Sequence, residues 1–140
     1  MHMNIEGTYK ISIEQSARKR VEGLLTTAKR LLGHVEARDI AGAPGKEEQI
    51  QKVIALFKQD EGAVRSISLE IGAERIIARS PDAETVYIIT KRTDKGDGKV
   101  LLSLESDEMG NVQWDATFCD GRYFMFESED EMSEYVWERT

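Results

Sequence analysis

Val112-Gln113-Trp114-Asp115-Ala116-Thr117-Phe118-Cys119 alternates apolar with polar or exposed-type residues at every step. A period of two belongs to a β-strand with one dry and one wet face, so this stretch makes the C-terminal half of the chain a sheet. Working outward, Val100–Leu104 precedes it and Tyr123–Phe126 follows, set off by the turn residues Met109-Gly110-Asn111 and Asp120-Gly121. Upstream, Ile67, Leu69 and Ile71 alternate with Ser66, Ser68 and Glu70, and Ile76-Ile77 and Val86–Ile89 bring the number of strands to six. Their boundaries are Gly72-Ala73, Ser80-Pro81-Asp82 and Asp94–Gly98. Connections this short predict antiparallel pairing, because a parallel pair needs a crossover of about a dozen residues or more. Val86-Tyr87-Ile88-Ile89 is apolar on both faces and is expected to lie centrally in the sheet.

Before residue 60 the period changes. Ile5, Gly7, Tyr9 and Ile11 alternate with Glu6, Thr8 and Lys10, a first strand. Ser12 with Gln15 forms a capping box, and Ile13, Ala17, Val21, Leu24, Ala28, Leu31 and Val35 then recur at spacings of four and three, predicting a helix from Ile13 to Ala37. Leu25 and Leu32 widen its apolar stripe, as a helix lying on a sheet requires. After the small-residue connection Asp39–Gly45, a second helix is expected over Lys46–Gln59, with Ile50, Val53, Ile54 and Phe57 on one face. Ser128 with Glu131 suggests another capping box, and Met132, Tyr135 and Val136 a short terminal helix over Glu129–Trp137. The fold class that follows is α+β: a strand, two helices, a six-stranded antiparallel meander and a short C-terminal helix, with the helices packed on one face of a curved sheet. One domain spans residues 4–140, and Met1-His2-Met3 is set aside as an extension ahead of a start at Met3.

Of the 140 residues 32% are charged, and the net charge is −7. That sign argues against a nucleic-acid or anionic-membrane binder, whose phosphate contacts come from clustered Lys and Arg. From Ser103 to Thr140 eleven acidic residues face Arg122 and Arg139, a local charge of −9, and the remainder is nearly balanced at +2. Cys119 is the only cysteine, so neither an intramolecular disulfide nor a cysteine-based zinc site is available. There is no secretory leader pattern and no apolar run near the ~18–20 residues of a membrane span, which makes a cytoplasmic protein the expectation.

Specific chemistries mostly fail on spacing. Gly42-Ala43-Pro44-Gly45-Lys46 has Ile40 where a phosphate-binding loop needs its first glycine and Glu47 where magnesium needs Ser or Thr. Asp94-Lys95-Gly96-Asp97-Gly98 lacks the ligand spacing of a calcium loop and reads as a hairpin tip. Beyond His2, His34 is the only histidine, at a helix end where a cation suits the dipole, and its pairing with Cys119 as base and nucleophile has no support in spacing. Carboxylate pairs such as Asp107 with Glu108, or Asp115 and Asp120, fall on turns and wet faces, where solvation is their ordinary role. No catalytic residue, metal ligand or cofactor is assigned.

Two features remain. One is the acidic end, Glu127, Glu129, Asp130, Glu131 and Glu134, expected to engage a protein partner with a basic surface. The other is the set of large side chains on the meander, of which Tyr87, Trp114, Phe118 and Tyr123 would line a ligand cavity if the sheet curves. The element order, with its opening Asn4-Ile5-Glu6-Gly7-Thr8-Tyr9-Lys10-Ile11, is similar to the helix-grip topology of the START and polyketide-cyclase superfamily. That resemblance implies a curved sheet wrapped around a C-terminal helix to make an apolar cup, although here the first two helices are long and the last is short for such a plug. Cone-shaped folds with helices ahead of a curved meander fit the same order. The leading reading is therefore a non-enzymatic interaction or regulatory domain. The alternative is a small apolar-ligand-binding cup, with or without weak enzymatic activity. Neither nucleic acid nor membrane is expected as a partner, and the chain is expected to be a monomer or a homodimer formed through the Ile13–Val35 stripe.

Overall fold

The structure, a computed structural model, describes residues 4–32 and 45–140, with the side chains of 28–32 left aside. The meander closes on itself. Strands β1 (Gly7–Ile11), β2 (Ser68–Ile71), β3 (Arg75–Arg79), β4 (Glu84–Gly96), β5 (Lys99–Ser106), β6 (Gly110–Cys119), β7 (Tyr123–Glu127) and β8 (Trp137–Arg139) pair antiparallel in chain order. β8 returns to β1, with Tyr9 opposite Arg139 and Ile11 opposite Trp137. The result is an eight-stranded up-and-down barrel. It replaces the expected α+β fold with helices on an open six-stranded meander.

Period two explains the interior. Leu69, Ile76, Leu102, Trp114, Ala116, Phe124 and Trp137 all point inward and are fully buried. The rings interlock: Trp114 stacks on Phe126 at 3.9 Å between centroids, Phe118 on Phe124 at 4.7 Å, and Tyr87 tilts against Trp114 at 5.2 Å. The outward positions carry Lys10, Glu70, Arg75, Glu105, Gln113, Asp115 and Glu127. Dry inside and charged outside is the reverse of a membrane-spanning barrel's polarity. Among the described residues no helix is long and apolar enough to cross a membrane.

Closure changes the meaning of several patterns. Val86 and Ile88 are not central but face outward, 37% and 49% exposed, because a barrel has one dry side and Tyr87 and Ile89 take it. The expected helix over Glu129–Trp137 is a 3-10 turn, Glu131–Glu134, followed by β8. Asp130 rather than Ser128 caps that turn. Extending Trp137 as a strand lets its backbone pair with β1 and β7 while its indole fills the barrel, which a helix could not do.

Helix α1 runs Ile13–Leu32, the rest of its expected span lying outside the described residues; Ser12 Oγ accepts from the Gln15 N–H, one half of the expected capping box, while the Ser12 N–H donates to the Val136 carbonyl instead. Helix α2 covers Lys46–Gln59 as expected, and a further turn of helix, α3 (Glu61–Arg65), follows. The helices do not lie on the sheet. They bury Ala17, Val21 and Ile50 against one another as a separate small core at the end of the barrel where β1 stops and β2 begins. Arg18–Glu47 and Lys46–Glu22 pairs, both 3.2 Å, flank that contact.

The β4–β5 hairpin turns through Asp97 and Gly98, both with positive φ (54° and 78°), the geometry of a two-residue type I′ loop. A Cβ at Gly98 would be driven into the Phe118 carbonyl oxygen. Gly98→Ala is expected to cost more than about 1 kcal/mol, read as a lower urea midpoint, whereas Asp97→Gly should be close to neutral.

Candidate functional site

Two regions bring together polar groups that the barrel does not need for its own pairing. The first lies on the outer face of β5, β6 and β7. Successive wet-face positions put Leu101 opposite Asp115 and Asp115 opposite Glu127, and the chain leaving β7 adds Ser128 and Glu129. With Asn111, Val112 and Gln113 they line an open cleft of about 440 Å³. Asp115, Glu127 and Glu129 are all exposed. Lys95 reaches Asp115 at 3.4 Å, and Lys19 stands 3.9 Å from Glu127. A strip of carboxylates beside Leu101, Asn111 and Gln113 suits the charged head of a lysine or arginine side chain.

The second region is the barrel mouth beneath the segment 128–136. Asp130 is buried there, 3% exposed. Its Oδ2 accepts from the Tyr87 hydroxyl at 2.7 Å and its Oδ1 from the Met132 N–H at 3.0 Å, so one carboxylate joins the barrel wall to the 3-10 turn. Burial first, and then the Asp130 carboxylate, push the Tyr87 phenol above its ordinary value. The amine of Lys19, from α1, donates to the Ser133 and Phe126 carbonyls, and its burial lowers its proton affinity while Glu127 and Glu134 oppose that shift. Beneath Tyr87, the Trp114 indole N–H is buried without an acceptor.

The candidate acidic residues thus separate. Glu127 and Glu129 border the cleft, Glu131 and Glu134 are exposed on the 3-10 turn, and Asp130 faces inward. Among the candidate ligand residues, Tyr87, Trp114 and Phe118 are inside the barrel, but Tyr123 is on the outer face with the Arg122 guanidinium over its ring. Asp115 and Lys19 join these regions without being among the expected binding residues. Asp115 carries a signal, its place on the wet face of β6 one pairing step from Glu127. Lys19 carries none, because its role depends on where α1 meets the 128–136 segment.

Cys119 sits at the end of β6, partly exposed. His34 and the Gly42–Pro44 part of the glycine-rich connection lie outside the described residues. Among the described residues, no three His, Cys, Asp or Glu side chains are grouped to hold a metal ion. A second open cleft of about 480 Å³, lined by Ser12, Glu14, Gln51, Lys58, Arg65 and Glu138 among others, separates the helices from β8.

Fold and site define a class: a closed up-and-down barrel with a helical hairpin inserted after its first strand, an acidic cleft on its outer wall and one mouth covered by a short segment. No protein-family model, curated protein or solved structure matches the chain.

Proposed function

We propose that this domain is a non-enzymatic protein-interaction module that takes a basic segment of a partner protein along the cleft of Asp115, Glu127 and Glu129, with Glu131 and Glu134 continuing the acidic surface. The observation that carries this reading is that three exposed carboxylates border one open cleft, whereas the barrel interior is occupied by rings in mutual contact. Such a surface speeds encounter with a cationic partner and weakens with salt. Hexalysine titrated by fluorescence anisotropy is the simplest probe. Asp115→Asn/Glu127→Gln/Glu129→Gln should lower its affinity about tenfold at low ionic strength, three exposed pairs at roughly 0.5 kcal/mol each. Unchanged affinity would sink the reading. We propose the cytoplasm as its compartment, a reading that a single cysteine supports, and a monomer or homodimer as its state.

One observation favours a second reading, an apolar ligand held inside the barrel. The Trp114 N–H lacks an acceptor that a carbonyl or hydroxyl of such a ligand would supply. Native mass spectrometry of the purified protein tests it, and a bare chain mass together with no quenching of Trp fluorescence by added fatty acid or aromatic probes would exclude it.

A further inference from the structure

We propose that residues 128–136 form a strap over the barrel mouth that is clasped shut by helix α1, so that the strap opens only together with the helical hairpin. This coupling is independent of which surface binds a partner.

The strap has few attachments to the barrel below it. Its links to the barrel are the Tyr87–Asp130 hydrogen bond, the Met132 and Tyr135 side chains on the aromatic core, the bond from the Trp137 indole N–H to the Met132 carbonyl at 3.3 Å, and the bond from the Ser12 N–H, just past β1, to the Val136 carbonyl at 2.9 Å. From above, the helices hold it at three points. Ser16 Oγ, fully buried, accepts from the Val136 N–H at 2.8 Å and lies 3.3 Å from the Val136 carbonyl. The Lys19 amine bonds the Ser133 carbonyl in mid-strap and reaches the Phe126 carbonyl at the end of β7. From α2, the Phe57 ring meets the Tyr135 ring at 6.3 Å.

These contacts are reciprocal. Without α1, the Val136 amide and the Ser133 carbonyl would lose their partners. Without the strap, a half-buried ammonium would lose the carbonyl that pays for its desolvation. Neither side is stable in its present place alone, which is the condition for a cooperative opening unit below the global unfolding free energy. What the unit covers is the stacked Trp114–Phe126 pair and the buried Trp137 ring, so its opening exposes the apolar interior.

Native-state hydrogen exchange on the full chain tests this at residue level. The Met132, Ser133 and Val136 amides should share one opening free energy with α1 amides such as Val21, below that of Leu102 and Trp114 in β5 and β6. In Lys19→Met, which keeps the stem and removes the ammonium, exchange of those strap amides should accelerate about tenfold or more while Leu102 and Trp114 are unchanged. Strap amides that open at the same free energy as β5 and β6, or that open separately from α1 in the unmodified protein, overturn the proposal. So does Lys19→Met exchange that is unaltered in the strap or raised equally across the barrel.

Discussion

Trp114→Ala is expected to lower the unfolding free energy by about 3–5 kcal/mol, the range for removing a large buried ring. The indole is fully buried and touches Phe126, Tyr87 and Phe124, so its loss leaves a void bounded by rigid rings that cannot collapse into it. A loss of that size is a large share of the roughly 5–15 kcal/mol that holds a domain together, and it should show as a much lower urea midpoint. Trp114→Phe separates two effects. It sacrifices ring volume but also removes an N–H with no acceptor, a group that costs about 1–3 kcal/mol when left unpaired. Its net cost should therefore be under about 1.5 kcal/mol. If Trp114→Phe proves nearly as damaging as Trp114→Ala, the indole N–H has a partner in solution, such as a buried water or a bound ligand.

Asp130→Ala is expected to cost about 2–4 kcal/mol, combining the lost hydrogen bond from Tyr87 with the lost cap of the 3-10 turn. Asp130→Asn keeps a polar partner for both and should cost about 1 kcal/mol. The pair also has a pH signature. The Tyr87 phenol holds its proton more tightly in the folded chain than in the unfolded chain, whose ordinary value is near 10. Its contribution is thus complete below pH 10 and is lost as pH rises beyond 10 toward the higher folded value. Tyr9 is shifted the same way, by burial above all, against the opposing effect of Arg139. In Tyr87→Phe the fall in stability above pH 10 should become shallower without vanishing, as measured by urea midpoints across the alkaline range. An unchanged alkaline slope would show that Tyr87 is not held as the geometry requires.

Much of the local structure was legible residue by residue. The alternation through Val112–Cys119 specified a strand and told which side chains share a face. The spacing of Ile50, Val53, Ile54 and Phe57 marked α2 to both of its ends, and Ser12 with Gln15 marked the start of α1. The run Asp94–Gly98 announced a hairpin tip, because few residues tolerate the positive φ that Asp97 and Gly98 adopt in its turn. These are short-range preferences, set by the chain's own dihedrals and by the period at which side chains reach one face.

The acidic candidates show where that legibility ends. Glu127, Glu129 and Asp130 are chemically alike and adjacent, yet two border an open cleft and the third is buried on Tyr87, more than forty residues away in sequence. No local pattern distinguishes them.

The sequence by itself determined seven of the eight strands, their antiparallel succession, the helical hairpin and the concentration of charge near the C-terminus. Tertiary structure alone decided that the sheet closes. Closure rests on the three-residue strand Trp137–Arg139, too short to show a period, whose pairing with β1 joins residues nearly 130 positions apart. Closing the ring put every dry face inside, turned Val86 and Ile88 out to solvent and left the helices to pack on each other. Strand character is written in neighbours two residues apart, but the edge that each strand finds depends on which pairing buries the most apolar surface with every backbone group satisfied.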